Sequence, residues 1–225
     1  MIKAIIFDFD GVIVDSEPVH LRAFQTILKD LDIDLTEQRY YEEYLAYDDK
    51  TFFYKALNDF GKYKGSEQVE EFIVKKSKVF DELIIDNIRI FPGVREFIKS
   101  IDSRRYRVAI GSGALREEIV DILNNINLSE YFEFIVSADE VEQCKPNPEV
   151  YLKVLENFNI NLNNKIKPEE CVVIEDAPHG VMAAKSAGMK CIAVTNSKSD
   201  TEISGADLVV DSLSELDIHT LNSRI

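Results

Sequence analysis

Short apolar runs alternate with amphipathic stretches through most of the chain. Runs at 2–7, 107–110, 134–136, 171–174, 190–194 and 208–210 have the length and composition of strands. Helical periodicity marks 94–101, 115–124, 148–158, 178–187 and, more weakly, a stretch from 214. This alternation predicts an α/β fold: a doubly wound parallel sheet, a Rossmann-like core.

Residues 16–92 break the rhythm. No strand pattern stands out there, and four helical patterns follow one another, at 18–31, 37–45, 51–60 and 67–85, with Gly61 and Gly65 marking a loop. The expected organisation is a core of residues 1–15 and 93–225 interrupted by a helical domain of residues 16–92. The insert carries 13 of the 22 aromatic residues, including Tyr40, Tyr41, Tyr44 and Tyr47. That excess is the share a packed bundle core needs, and exposed tyrosines there would be able to stack on a sugar or nucleoside. The last insert helix has an apolar stripe at Val69, Phe72, Ile73, Phe80 and Leu83, with Lys76 inside it. A cation in such a stripe either finds a partner or runs its stem out to water.

Composition narrows the function. The chain has 225 residues, with 26 Lys and Arg against 41 Asp and Glu, a formal charge of −15. Such a field repels phosphate backbones and anionic lipid, which argues against nucleic acid and membrane surfaces as partners. The first apolar run is too short for a signal-peptide core or a membrane span, so the expected location is the cytoplasm. Cys144, Cys171 and Cys191 are odd in number and form no C-x-x-C pair, and they read as reduced packing residues.

The acids become informative where strands end. Ile5-Ile6-Phe7-Asp8-Phe9-Asp10-Gly11-Val12 puts two carboxylates at the carboxyl end of a strand, where open parallel sheets bind ligands. Two carboxylates that close repel unless a cation or a proton intervenes, and hard oxygen donors suit Mg²⁺. An EF-hand is excluded, because a strand precedes the loop and Val12 stands where a ligand is needed; a solvated acidic turn is the bland alternative. Glu175-Asp176 repeats the pattern after Cys171-Val172-Val173-Ile174, with a helix N-cap at Asp176 as the structural alternative. Gly111-Ser112-Gly113-Ala114 offers a hydroxyl and backbone N–H groups before a helix, a candidate anion cradle. Lys145 lies in Cys144-Lys145-Pro146-Asn147-Pro148, where two prolines fix the backbone beneath it, although an isolated loop Lys more often faces solvent.

In that order, Asp8-Phe9-Asp10-Gly11-Val12, Ser112, Lys145-Pro146 and Glu175-Asp176 resemble the four motifs of the haloacid dehalogenase superfamily over nearly the whole chain. The run from Asp10 to His20 resembles the members with a helical cap inserted after the first motif, the β-phosphoglucomutase and phosphoglycolate-phosphatase-like group. The resemblance implies that Asp8 is a nucleophile forming an aspartyl-phosphate and Asp10 the general acid and base. Ser112, Gly113 and Lys145 would hold the transferring phosphoryl group. Mg²⁺ would be bound by Asp8, Asp10 through its carbonyl, and Asp176, with Glu175 either a ligand or one layer behind. Asp10 favours phosphoryl transfer over dehalogenation.

The same resemblance makes the insert a cap that closes over the site and chooses the substrate, with His20 and Lys76 as candidate binding residues. His20 does not separate phosphatase from mutase. The mutase cap carries an arginine that grips a distal phosphate, whereas here the corresponding stretch reads Leu45-Ala46-Tyr47-Asp48-Asp49-Lys50. Asp48 and Asp49 would repel a second phosphate, and Lys50 compensates only if turned inward. The expected activity is therefore hydrolysis of a small phosphomonoester, with a sugar-phosphate mutase as the runner-up.

Overall fold

The computed structural model describes residues 1–45 and 47–225, with Ile85 and Asp86 described by their backbone alone. The elements run in the order β1 Ala4–Phe7, β2 Val14–Asp15, α1 Glu17–Lys29, α2 Glu37–Glu43, α3 Asp49–Asp59, α4 Ser66–Asn87, β3 Arg89–Ile90, α5 Val94–Ser100, β4 Arg107–Gly111, α6 Arg116–Asn125, β5 Ile135–Val136, α7 Glu149–Phe158, β6 Cys171–Glu175, α8 Pro178–Ser186, β7 Lys190–Val194, β8 Leu208–Val210 and α9 Leu221–Arg224. The chain divides into two compact units, Met1–Asp15 with Arg89–Ile225, and Ser16–Ile88.

In the first unit six parallel strands form one sheet in the order β5-β4-β1-β6-β7-β8, the doubly wound α/β architecture expected. β1 is central, and all four of its residues are buried, because a parallel strand between two neighbours with helices on both faces meets no water. Ala4–Phe7 pairs in register with Arg107–Ile110 on one side and Cys171–Ile174 on the other. Strand order reverses between β1 and β6, the switch point where such sheets leave a crevice at their carboxyl ends. One core cluster packs Ile6, Ala109, Val173 and Cys191 of the sheet against Tyr151, Val154 and Phe158 of α7 and Val181 and Ala184 of α8.

Several expectations change at the edges. The weak helix from 214 is a 3-10 turn, Leu213–Glu215, with only the short α9 beyond it. Arg89–Ile90 pairs antiparallel with Val14–Asp15, so a two-residue strand exists where only helices were expected, and residues 89–92 lie with the first unit. Cys144 is exposed and is no packing residue, unlike the buried Cys171 and Cys191.

The second unit is helical. Its core gathers Phe24, Phe52, Phe53, Phe72, Tyr40 and Tyr44, with Phe24 stacked on Phe52 at 3.7 Å between centroids. Tyr40 donates to Glu17, and Tyr44 to Asp59 at 2.8 Å, so these two rings are core residues with satisfied hydroxyls; Tyr41 and Tyr47 are partly exposed. Among the described residues, no helix is long and apolar enough to cross a membrane.

Candidate active site

Sheet order turns the separate motifs into one site. Because β6 is the neighbour of β1, Asp8 follows one strand end while Glu175 and Asp176 stand at the next, and the Asp8 N–H donates to the Ile174 carbonyl at 2.9 Å. Oxygens of Asp8, Glu175 and Asp176 lie within 4.8 Å of one another, and all three residues are buried. Lys145 reaches into this cluster from the loop before α7. Its Nζ is 2.8 Å from Asp8 Oδ1 and 2.7 Å from Glu175 Oε1. A lysine that is solvent-facing in most proteins is here a largely covered counter-charge, its side chain 14% exposed.

One ammonium against three carboxylates leaves excess negative charge. Burial, reinforced by Glu175 and Asp176, raises the Asp8 carboxyl well above the carboxylate range against the pull of Lys145. Burial and the Glu175 charge push Asp176 up to about 7. Glu175 moves the other way: its burial is outweighed by Lys145 and by hydrogen bonds. Burial alone would lower Lys145, but Asp8 and Glu175 together raise it, so it stays a cation. An all-oxygen donor set carrying uncompensated charge fits a hard divalent cation such as Mg²⁺.

The acceptor inventory separates the carboxylates. Glu175 Oε1 takes Lys145 Nζ and the Tyr151 hydroxyl, each at 2.7 Å, while Oε2 takes the N–H groups of Asp176 and Ala177 at 2.9 and 3.2 Å. A carboxylate has about four acceptor positions, so protein donors fill Glu175. Asp176 acts as no helix N-cap, since α8 is preceded by Ala177.

Two glycines make the close approaches. Gly11 adopts φ +77° in the turn after Asp10, and a Cβ there would fall 1.9 Å from Asp176 Oδ2. Asp10 is thereby brought beside Asp176, whose carboxyl its charge helps to raise. On α8, a Cβ on Gly180 would fall 1.7 Å from Glu175 Oε1. The Asn196 side-chain amide donates to the Gly11 carbonyl at 2.7 Å, holding the turn from the loop after β7.

Ser112 is buried at the end of β4, one step beyond the level of Asp8, where its Oγ accepts the Ala114 N–H at 3.1 Å and can turn its own proton elsewhere. A Cβ on Gly113 would meet nothing within 4 Å, so that side of the loop is open. α6 begins only at Arg116, whose N–H goes to Asp139 at 3.1 Å. The candidate cradle is therefore confined to the 112–114 loop, and the helix N-terminus itself lies beyond it.

His20 and Lys76 meet each other in the helical unit. Lys76 Nζ lies 2.8 Å from His20 Nδ1 and 3.0 Å from Asp49 Oδ1, with the rings of Phe24 and Phe80 each 5.0 Å away. Lys76 does not run out to water; it has only donors to offer, so His20 Nδ1 accepts and its proton sits on Nε2. Burial and then Lys76 drive the His20 pKa down to about 3. Of the stretch 45–50, Ala46 lies outside the described residues; Asp48 accepts the Thr51 N–H at 2.7 Å as N-cap of α3, and Lys50 is exposed.

Tyr151, Gly180 and Asn196 escaped sequence reasoning. Tyr151 reads as one more apolar position of α7, and Asn196 as loop. Gly180 did leave a signal, since a glycine inside a helix costs about 1 kcal/mol against Ala and asks for a packing reason.

A model of the haloacid dehalogenase-like hydrolase family matches residues 5–194. A phosphorylated carbohydrates phosphatase of Thermotoga maritima is 33% identical over 204 residues, covering 84% of this chain and 83% of its own. A β-phosphoglucomutase of Bacillus subtilis is 27% identical over 228 residues, covering 99% and 95%. A solved structure of CbbY from Rhodobacter sphaeroides in complex with phosphate superposes with a TM-score of 0.80 at 26% identity, covering 99% of this chain and 100% of that one.

Proposed function

The chain belongs to the haloacid dehalogenase-like hydrolase family, and from that premise we propose that it is a cytoplasmic phosphatase of a small phosphomonoester, a sugar phosphate or related metabolite. The observation that carries the reading is the contact of Asp8 with Lys145 at 2.8 Å, at the carboxyl end of the central strand. An Asp8 oxygen attacks phosphorus, and the bond to the leaving oxygen breaks as Asp10 donates a proton to it. Water then attacks the aspartyl-phosphate, giving its proton to Asp10, and inorganic phosphate leaves with Asp8 restored. Lys145, the Ser112 hydroxyl and the Gly113 N–H hold the phosphoryl oxygens as charge spreads onto them.

Mg²⁺ would be held by the Asp8 and Asp176 carboxylates and the Asp10 carbonyl, with Glu175, its acceptors filled, one layer behind. When bound it supplies the positive charge that keeps Asp8 ionised and lets an anionic phosphate approach. The name of the Thermotoga relative supports hydrolysis of phosphorylated carbohydrates, and that of the Bacillus relative supports the mutase alternative. A mutase must grip a second phosphate. In the helical unit Lys76 is committed to Asp49 and His20, and the stretch 45–50 holds no arginine, which favours hydrolysis.

The test is a phosphate-release screen over phosphomonoesters with and without Mg²⁺. Mg²⁺-dependent release from sugar phosphates is expected, with turnover lost by at least about a thousandfold in Asp8→Asn. Full activity of that variant overturns the assignment. A bisphosphate-primed, isomerised sugar phosphate in place of free phosphate would establish the mutase.

A further inference from the structure

Tyr151 is fully buried on α7, and the hydrolytic scheme makes no use of it. Its hydroxyl donates to Glu175 Oε1, the same oxygen that receives Lys145 Nζ. Its ring packs where a Cβ on Gly111 would lie 3.2 Å from it, and Lys145 Nζ stands 5.0 Å from the ring centroid. The ring is thus clamped between the end of β4 and the lysine, and its hydroxyl has one place to point.

The consequence falls on Lys145. Its ammonium is divided between two acceptors at nearly equal distance, Asp8 Oδ1 at 2.8 Å and Glu175 Oε1 at 2.7 Å. Glu175 cannot rotate, because its other oxygen is tied to two backbone N–H groups. Without the tyrosine hydroxyl, Oε1 would keep Lys145 as its one donor among the described residues and would draw the ammonium toward itself and away from Asp8. With the hydroxyl in place part of that demand is met, and the ammonium stays at the atom where a phosphoryl group would be received.

We propose that Tyr151 is a positioning residue for phosphoryl transfer: its hydroxyl fixes Glu175, and Glu175 thereby aims Lys145 at Asp8. The inference rests on the phosphatase reading above. Burial, and then the Glu175 charge, keep the phenol protonated and a donor throughout.

The experiment uses the full chain with Mg²⁺ and p-nitrophenyl phosphate as the probe. Tyr151→Phe removes the hydroxyl and keeps the ring. The expected result is a fall in kcat of about 10- to 100-fold, the usual scale for a group acting through another, with KM changed by less than about threefold. In a Glu175→Gln background the same substitution should change kcat by less than about twofold, because the element it acts through is already altered. A purely structural role predicts a lower thermal midpoint with kcat per folded molecule unchanged, or equal losses in both backgrounds; either result overturns the proposal. If Tyr151→Phe does not fold, Tyr151→Met, which lacks the hydroxyl in a more adaptable side chain, carries the same comparison. Lys145→Ala separates the two levels of the argument. Wild-type turnover in that variant sinks the phosphatase reading itself, whereas loss there beside a wild-type Tyr151→Phe sinks only the positioning role.

Discussion

His20 is a residue whose chemistry its neighbours decide. Held by Lys76 Nζ at 2.8 Å and stacked on Phe80 at 4.3 Å, it is neutral when folded, with a pKa near 3 against 6.5 for the free side chain. Lys76 on α4 lies against its ring, and that ammonium in turn pairs with Asp49 on α3. Below pH 6.5 the unfolded chain takes up a proton at His20 that the folded chain refuses, so the contribution of His20 to stability falls as pH drops from 6.5 toward 3. The slope approaches about 1.4 kcal/mol per pH unit. Urea unfolding at pH 6.5 and pH 5 should show wild type losing about 2 kcal/mol more than His20→Gln; equal losses would mean that His20 titrates normally. Sequence made His20 and Lys76 visible as candidates, but the Asp49 partner, which changes their meaning, came from packing.

At the scale of elements, capping explains an acid that the sequence assigned to repulsion. Asp48 precedes α3, and its Oδ1 takes the Thr51 N–H at 2.7 Å, so its charge sits at the positive end of the helix. Asp48→Ala should cost about 1 kcal/mol in chemical denaturation and leave turnover within about twofold. A large gain of mutase activity would instead restore the repulsion account. Element identity was largely legible, because apolar runs and helical periods are local properties of the chain. The two-residue ribbon of Val14–Asp15 with Arg89–Ile90 was not, since segments that short leave no periodic trace and exist only by pairing.

For the whole molecule, a net charge of −15 acts on an anionic substrate before any contact forms. Added salt screens that repulsion. At fixed Mg²⁺, kcat/KM for a phosphomonoester should rise roughly two- to threefold between about 10 and 150 mM NaCl with kcat nearly constant. A fall would show that the cations of the site outweigh the global field. The sequence by itself determined the alternation that makes a doubly wound sheet, the helical break within it and the motif residues at the strand ends, because local patterning carries each of these. Only the tertiary structure decided that β1 and β6 are neighbours, that one lysine is shared by two carboxylates, and that Tyr151 and two backbone N–H groups fill Glu175. The strand pairing and the Lys145 and Tyr151 contacts join residues far apart in the chain, and the two N–H groups complete the set from the turn beside Glu175. They depend on strand order and on which side chains close packing leaves no other place to point.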